Sequence, residues 1–319
     1  MRPVASFRLC DRIGAPSIEL RVPNVAGSAV MQVLSDGQVE AFHRDGYVMM
    51  DDAVSPGDLA ALREVFADWV TESRSQSGPW GTTQDGRARF DVEPGHCAES
   101  PALRRVASPV EVSEVYLDVM RNAPLVDAAA QLVGPNIEFN NAKVNSKQPG
   151  AATAVRFHQD FLYEPHTNDD LVAALVFLDD VTPRNGPLEV VPGSHRGPLR
   201  EHWHDGVFTG TVAPDVLEHA AEQAVACHGP AGSACLLHTR TIHGSGPNLS
   251  DSSRTLYICT YRSEDSQPLQ TNHIPSIFDG EVVRGVATNR VRCSASEMEF
   301  PEIPTGASFF EQQAQHSVA

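Results

Sequence analysis

Hydrophobic positions are spaced like those of helices up to residue 133 and like those of strands from residue 137 onward. After the helix-start signal Ser55-Pro56, apolar side chains recur three or four residues apart, at Leu59, Leu62, Val65, Phe66 and Trp69. Similar signals predict helices over residues 35–45, 110–120 and 124–133, the first of them ended by Gly46. A short helix is also predicted near residues 215–221.

Strands are predicted over most of the remaining chain. Residues 172–178 are almost continuously apolar, which is typical of a strand buried on both faces. Further strands are predicted at 47–50, 137–147, 156–160, 187–191, 223–228, 233–238, 241–245 and 255–262. Many short strands after a helical N-terminal third predict an α+β fold, an antiparallel, cupin-like jelly roll with supporting N-terminal helices. Residues 73–108, rich in Gly, Ser, Pro and charge, are predicted to be a long loop that can act as a lid.

Alternation in residues 137–147 puts four polar side chains on one face of a strand: Asn141, Lys143, Asn145 and Lys147. A polar face of this kind either meets solvent or lines the wet interior of a barrel. The sequence leaves both interpretations open, although the next predicted strand carries the strongest metal-binding motif.

The chain has 319 residues, and we expect one domain over residues 31–319 after an irregular extension, 1–30, that contains three prolines. An arm that packs on the domain, or a natural start at Met31, are the alternatives for the extension. The six cysteines form no C-x-x-C pair, which favours free thiols in the cytoplasm.

The net charge of −17 disfavours nucleic acid or an anionic membrane as a partner, and no apolar run is long enough to span a bilayer. A small-molecule substrate remains compatible with this charge, even an anionic one, because a pocket can be locally basic. A monomer or a homodimer is expected.

The sequence His158-Gln159-Asp160 lies in a predicted strand, where residues two apart face the same way. A second H-x-D sequence, His43-Arg44-Asp45, lies in a predicted helix, where the two side chains point apart. Only the first pair can therefore grip one ion. With His243 from a later strand it would complete two histidines and a carboxylate, the arrangement that non-haem Fe(II) oxygenases use.

Two more residues near His243 fit a bound carboxylate. Arg254 offers a planar guanidinium that can bind the far carboxylate of a dicarboxylate in bidentate fashion, and Ser245 can add a hydroxyl donor. Arg156, predicted to share the face of His158, and Arg240 are weaker candidates for the substrate, and Tyr163 can wall the pocket.

These motifs together resemble the phytanoyl-CoA dioxygenase family over residues 33–285. The segments that carry the resemblance are His158-Gln159-Asp160, Asn185-Gly186-Pro187-Leu188, Val191-Pro192-Gly193-Ser194-His195, His243-Gly244-Ser245-Gly246-Pro247-Asn248 and Arg254. The resemblance implies a double-stranded β-helix that uses Fe(II), 2-oxoglutarate and O2. It also implies that His158, Asp160 and His243 are the iron ligands and that Arg254 and Ser245 bind 2-oxoglutarate. Asn145 or Lys143 is a weaker candidate for the same cosubstrate.

The expected activity is hydroxylation of a small organic molecule, with succinate and CO2 as co-products. Desaturation or cyclisation would use the same iron site. Two alternatives stand beside it: a cupin-type hydrolase or isomerase that uses Zn or Mn, and a non-catalytic ligand-binding barrel.

Overall fold

The computed structural model describes residues 30–149 and 151–294, together with Gly306, Phe310 and Gln313. Most of the predicted extension, residues 1–29, lies outside the described residues, and the division into domains stays a prediction. No helix in the described part of the chain has both the length and the apolar character that a membrane span requires.

The helices that the structure describes follow the predicted order. They are α1 (Asp36–Asp45), α2 (Pro56–Ser73), α3 (Glu114–Asn122), α4 (Pro124–Val133) and α5 (Pro214–Gln223). The strands are β1 (Tyr47–Met50), β2 (Phe90–Val92), β3 (Leu103–Ala107), β4 (Ile137–Lys147), β5 (Val155–His158), β6 (Leu171–Phe177), β7 (Leu188–Val190), β8 (Trp203–His204), β9 (Val207–Phe208), β10 (Val225–Cys227), β11 (Ala234–His238), β12 (His243–Ser245), β13 (Arg254–Ser263) and β14 (Val282–Arg284).

Two antiparallel sheets form the centre of the molecule. The larger has the order β1-β11-β6-β13-β4-β3-β2, with β14 also paired to β4. The smaller has the order β10-β7-β12-β5, and β8 and β9 form a separate hairpin. The predicted combination of helices with an antiparallel sheet is therefore present.

Strand β6 shows how the layers stack. Its residues Val172, Ala174 and Val176 belong to the apolar core on the helix side of the large sheet. The intervening residues, Ala173, Leu175 and Phe177, belong to a second core that also contains Leu188 and Val190 of the small sheet. A strand buried on both faces needs an apolar side chain at every position, which explains the unbroken apolar run in the sequence.

The helix ends follow the signals in the sequence. Ser35 caps α1 in a capping box with Gln38, and Gly46 ends the helix in the left-handed region. Ser55 accepts a hydrogen bond from the backbone of Asp58 at the start of α2. The prediction of one helix over residues 110–120 is wrong at its start, because a 3-10 turn, Pro109–Glu111, comes first and Ser113 caps α3.

The prediction of a long open loop over residues 73–108 is wrong, because β2 and β3 extend the large sheet at its edge. Strand β3 pairs with β4, and a bulge against β2 falls at Arg104. Two adjacent arginines and this bulge hide the alternation that would have revealed the strand. The expected lid residues are tied into the structure: Trp80 stacks on Phe90, and Asp91 forms an ion pair with Arg104.

The polar face of β4 lines the interior. Asn141, Lys143 and Lys147 are at most 8% exposed, and the opposite face, with Ala142 and Val144, packs under the helices. Of the two interpretations that the sequence left open, the structure supports the interior one. A row of amide and ammonium groups therefore enters the space between the two sheets.

Gly46 joins the end of α1 to β1, the edge strand of the large sheet. Its φ is +81°, and an added Cβ would lie 2.4 Å from both His195 Nδ1 and Thr241 Oγ1. Gly86 has a nearly identical φ of +84° with open space around it. We therefore expect Gly46→Ala to lower the free energy of unfolding by about 3 kcal/mol or more, through backbone strain and overpacking.

Gly86→Ala is the matched control, and we expect it to cost only the strain, about 1 kcal/mol. Urea denaturation of the two variants measures the difference. Equal losses of stability would show that the crowding at Gly46 is relieved without cost.

Candidate active site

His158 is the last residue of β5, and Asp160 starts the 3-10 turn Asp160–Leu162. The prediction that one strand carries both residues is therefore wrong, because the chain leaves the sheet at Gln159. The Gln159 side chain is fully buried: its amide donates to Arg240 O at 2.6 Å, and its carbonyl accepts from the Arg200 backbone at 2.7 Å. This anchoring fixes the bend that brings the Asp160 carboxylate back beside His158.

His243 begins β12 and lies directly opposite His158 of β5. Asp160 Oδ1 is 3.3 Å from His158 Nε2, and Asp160 Oδ2 is 3.7 Å from His243 Nε2. One ligand atom from each of the three residues lies within 4.8 Å of the others. Within the described residues, this is the group whose donor atoms converge closely enough to hold a metal ion.

Backbone carbonyls set the tautomers of the two histidines. His158 Nδ1 lies 2.8 Å from Arg156 O, and His243 Nδ1 lies 2.9 Å from Thr241 O. A carbonyl can only accept, so each Nδ1 carries the hydrogen and each Nε2 presents its lone pair to the space between the rings. Two imidazole nitrogens and a carboxylate, with part of the coordination sphere left to the cavity, fit Fe(II).

Burial and local charges keep His243 and Asp160 in the form that binds a metal ion near neutral pH. Burial lowers the pKa of His243 to about 4, and the nearby His158 ring acts in the same direction. Burial on its own would raise the pKa of Asp160, yet the charge of Lys143, together with the neighbouring His243 ring and a hydrogen bond to His158, holds it well below its usual range. The side chain of Asp160 remains 15% exposed, so a metal ion can reach it from the cavity.

The cavity beside the triad lies between the two sheets, and Arg254 lines its other end. Arg254 is 3% exposed, and its Nε donates to Gly186 O at 2.9 Å. That bond fixes the plane of the guanidinium. Burial lowers the pKa of Arg254 to about 10, so the group stays cationic at neutral pH.

Ser245 and Lys147 complete this end of the cavity. Lys147 lies opposite Arg254 in the β4–β13 pairing, and its ammonium donates to Ser245 Oγ at 2.7 Å and to Gly246 O. The Ser245 hydroxyl, whose oxygen accepts from Lys147, keeps its own hydrogen for a ligand. Three donors thus converge where a carboxylate would sit.

Asn145 and Lys143, the other two candidates for the cosubstrate, also line the cavity. They precede Lys147 on the same face of β4, where Asn145 lies opposite Leu256 and Lys143 opposite Ile258. The buried Oδ1 of Asn145 has no hydrogen-bond partner among the described residues. An orphaned polar atom of this kind suggests a ligand or an ordered water.

The three substrate candidates, Arg156, Arg240 and Tyr163, are not among the described residues that line the cavity. His158 lies opposite His243, and Val155, three residues earlier, lies opposite Ser245, so the β5–β12 pairing contains a bulge. The bulge interrupts the alternation along β5, and the prediction that Arg156 shares the face of His158 is therefore wrong. Arg240 forms an ion pair with Asp169 at 2.6 Å on the far side of Gln159.

Tyr163 packs edge-on behind the ring of His158, with a centroid distance of 5.8 Å. Its hydroxyl donates to Gly210 O at 2.7 Å. Tyr163 therefore supports the position of a predicted metal ligand.

Three lining residues were missed as candidates: Lys147, Arg104 and Phe310. The alternation along β4 already placed Lys147 beside Asn145, so extending the candidate list to the end of that strand would have found it. Arg104 lies in the segment predicted to be a loop. Phe310 comes from the far end of the sequence, where no motif marks it; its ring lies 5.3 Å from the Arg104 guanidinium.

The family model for phytanoyl-CoA dioxygenase (PhyH) matches residues 42–256, about two thirds of the chain. The chain belongs to the phytanoyl-CoA dioxygenase family. The sequence resemblance, the prediction of a 2-oxoglutarate-dependent dioxygenase and the expected use of iron and 2-oxoglutarate are thereby confirmed. The positions of the triad and of Arg254 agree with that chemistry.

Two relatives and one solved structure show the range of this likeness. A probable alpha-ketoglutarate-dependent hypophosphite dioxygenase of Stutzerimonas stutzeri is 30% identical over 70% of this chain and 77% of its own length. An L-proline trans-4-hydroxylase of Streptomyces griseoviridis is 31% identical over 75% and 90%. EctD from S. alaskensis, solved with 2-oxoglutarate and 5-hydroxyectoine, has a TM-score of 0.59 at 24% identity and covers 84% of this chain and 89% of its own.

The Lys147 ammonium predicts how cosubstrate affinity depends on pH. Burial, followed by the charge of Arg254, lowers the pKa of Lys147 to about 6. A bound carboxylate favours the protonated form and raises this pKa, so binding takes up a proton between pH 8 and 6. We therefore expect the affinity for 2-oxoglutarate to increase as the pH falls from 8 to 6, by at most about tenfold per pH unit, and to level off below pH 6.

Titration of the anaerobic Fe(II) protein with 2-oxoglutarate, followed by its visible charge-transfer band, measures this affinity. His243 stays neutral in this window because its pKa is about 4. Lys147→Met should bind 2-oxoglutarate more weakly at pH 6 and lose the pH dependence. A wild-type affinity that rises with pH would contradict the role of Lys147.

Proposed function

We propose that the protein hydroxylates a small organic molecule on a double-stranded β-helix, with Fe(II) and 2-oxoglutarate, and that succinate and CO2 are the co-products. One observation carries the proposal: the triad and Arg254 line a single cavity between the sheets. A dicarboxylate held by Arg254 can therefore extend to a metal ion on the triad. The relatives named for hypophosphite and L-proline also support a small substrate.

His158, Asp160 and His243 would hold Fe(II), and their placement leaves the cavity side of the ion for other ligands. Fe(II) in such a site supplies the redox chemistry that couples the oxidative decarboxylation of 2-oxoglutarate by O2 to oxidation of a substrate C–H bond. The chain itself orients the reactants and excludes water. Leu175, Leu188 and Leu256 provide the apolar part of the wall.

Arg254, Ser245 and Lys147 would bind the far carboxylate of 2-oxoglutarate. A guanidinium pairs with a carboxylate through two parallel hydrogen bonds, and its fixed plane here reduces the loss of side-chain entropy on binding. Of the two further candidates on β4, Asn145 is nearer to Arg254 in the strand register, so we assign it to the cosubstrate. A cupin-type Zn or Mn hydrolase has no use for this carboxylate site.

The metal site is tested with matched carboxylate variants of the two H-x-D sequences. Anaerobic wild-type protein with Fe(II) and 2-oxoglutarate should show a visible charge-transfer band and, in air, release succinate. Asp160→Ala should abolish both, because it removes the only carboxylate of the triad. Asp45→Ala, which removes only the exposed ion pair with Arg44, should leave both unchanged. A wild-type protein with neither band nor succinate would contradict the proposal.

The cosubstrate site is tested with Arg254→Met. The loss of a buried, charge-assisted pair should weaken 2-oxoglutarate binding by about 30-fold or more, on the order of 2–3 kcal/mol. The Fe(II) affinity should change little because Arg254 does not contact the triad. The half-saturation of the charge-transfer band gives the first quantity and competition with a metal indicator the second. Unchanged 2-oxoglutarate affinity would favour the hydrolase or binding-barrel alternatives.

A further inference from the structure

Lys143 is a buried lysine in the wall of the cavity, and the field of Asp160 is the main charge that acts on it within the described chain. Its side chain lines the cavity, and the residue is 8% exposed. Among the described residues it makes no hydrogen bond with its ammonium and no ion pair. Burial of an unpaired ammonium is unfavourable by several kcal/mol, so such a group in a cavity indicates a binding partner of opposite charge.

The other cations of the cavity have assigned contacts. Arg254 is held by Gly186 O, Lys147 by Ser245 and Gly246, and Arg104 by an ion pair with Asp91 at 2.7 Å. Because the pKa of Lys147 is about 6, three cations, Arg254, Arg104 and Lys143, remain at neutral pH against Asp160, the one carboxylate among the lining residues that the structure describes. The cavity is therefore strongly cationic in a protein whose net charge is −17.

Strand register separates Lys143 from the cosubstrate end. Lys147 lies opposite Arg254 and Lys143 opposite Ile258, so the two lysine backbones are four residue steps, about 13 Å of strand, apart. The charge of Lys143 acts on Asp160 and His243. Lys143 thus lies on the metal side of the cavity.

A second buried acid, Glu164, also feels the charge of Lys143 but forms no ion pair with it within the described chain. Glu164 accepts hydrogen bonds from Asn140 at 2.7 Å and Asn141 at 2.6 Å, both at the bulge of β4. Burial, followed by the charge of Asp160, raises the pKa of Glu164 to about 8 although the charge of Lys143 opposes the change, so much of Glu164 is uncharged at neutral pH.

Metal binding increases the need for an anion at Lys143. In the protein alone, Asp160 is the carboxylate whose field compensates this ammonium. A divalent ion on the triad would be balanced by the Asp160 carboxylate and the near carboxylate of 2-oxoglutarate, so the charge of Asp160 would no longer be available to Lys143. The far carboxylate of the cosubstrate is already matched by Arg254 and Lys147.

We propose that Lys143 binds an anionic group of the primary substrate, a carboxylate or another small oxyanion, and so restricts the enzyme to acidic or zwitterionic small molecules. The inference rests on the proposed function, because it takes Arg254 and the metal as the two attachments of 2-oxoglutarate. Lys143 orients the substrate by an ion pair and takes no part in the redox step.

The first experiment separates the two lysines of β4. The charge-transfer band of the anaerobic Fe(II) protein is titrated with 2-oxoglutarate in wild type, Lys143→Met and Lys147→Met. We expect Lys143→Met to bind 2-oxoglutarate within about twofold of wild type and Lys147→Met to bind it at least about tenfold more weakly. If Lys143→Met also loses 2-oxoglutarate affinity, Lys143 belongs to the cosubstrate site and the inference is overturned.

The second experiment tests the charge of the substrate. A panel of small carboxylic acids, each with its primary amide, and hypophosphite is added to the Fe(II)·2-oxoglutarate protein. L-Proline and L-prolinamide form one such pair. The readouts are the shift of the anaerobic charge-transfer band and the succinate released in air. We expect at least one anionic probe to act at a concentration at least about tenfold below that of its amide, and Lys143→Met to remove the difference.

Amides that act as well as their acids would overturn the inference, as would a panel in which no acid and no hypophosphite shifts the band. Lys143→Arg provides the rescue, because it keeps the positive charge and should retain a preference for acids. Failure of the proposed function looks different, since it would abolish the band with 2-oxoglutarate alone. Circular dichroism and thermal unfolding establish that the variants are folded.

Discussion

The site depends on two hydrogen bonds from imidazole to backbone. His158 donates to Arg156 O, and His243 donates to Thr241 O. Each bond fixes a ring and its tautomer from within the same chain segment, two residues back. Because His158 and His243 are paired across β5 and β12, the two rings are then brought together without any contact to the metal. The Asp160 carboxylate is positioned separately, by the bend in the chain that the hydrogen bonds of buried Gln159 hold in place. The metal site is thus built largely from backbone geometry.

The second constraint is electrostatic. The space between the sheets is apolar near Leu175, Leu188 and Ile258, yet β4 and β13 bring ammonium and guanidinium groups into it. Such groups are tolerated in a dry interior only where carbonyls, carboxylates or ligands meet them. Lys147 donates hydrogen bonds to Ser245 and Gly246, whereas Lys143 has no hydrogen-bond or ion-pair partner within the described chain. Under the proposed function, this difference divides the cavity into a cosubstrate end and a substrate end.

Much of this architecture was readable from the sequence because the signals are local. Caps and glycine stops located α1 and α2, and the unbroken apolar run of β6 showed a strand between two cores. The triad was predictable because its three residues lie in short motifs, although Asp160 reaches the site by a turn and not along a strand. Arg156 was misplaced because a one-residue bulge reverses the alternation, and a bulge depends on the partner strand. Arg104 and Phe310 were out of reach for a related reason: only tertiary packing makes them neighbours of the metal site.

Phe310 has a consequence for how specificity can diverge in this family. The family match ends at residue 256, yet Phe310 closes part of the cavity beside Arg104. His158, His243 and Arg254 lie in paired strands, where an insertion or deletion would disturb a ladder of backbone hydrogen bonds. Phe310 belongs to neither sheet, so substitution of this residue leaves the strand pairing unchanged. New substrates would then be acquired by substitution at a position beyond the family match, with the residues of the predicted metal site left intact.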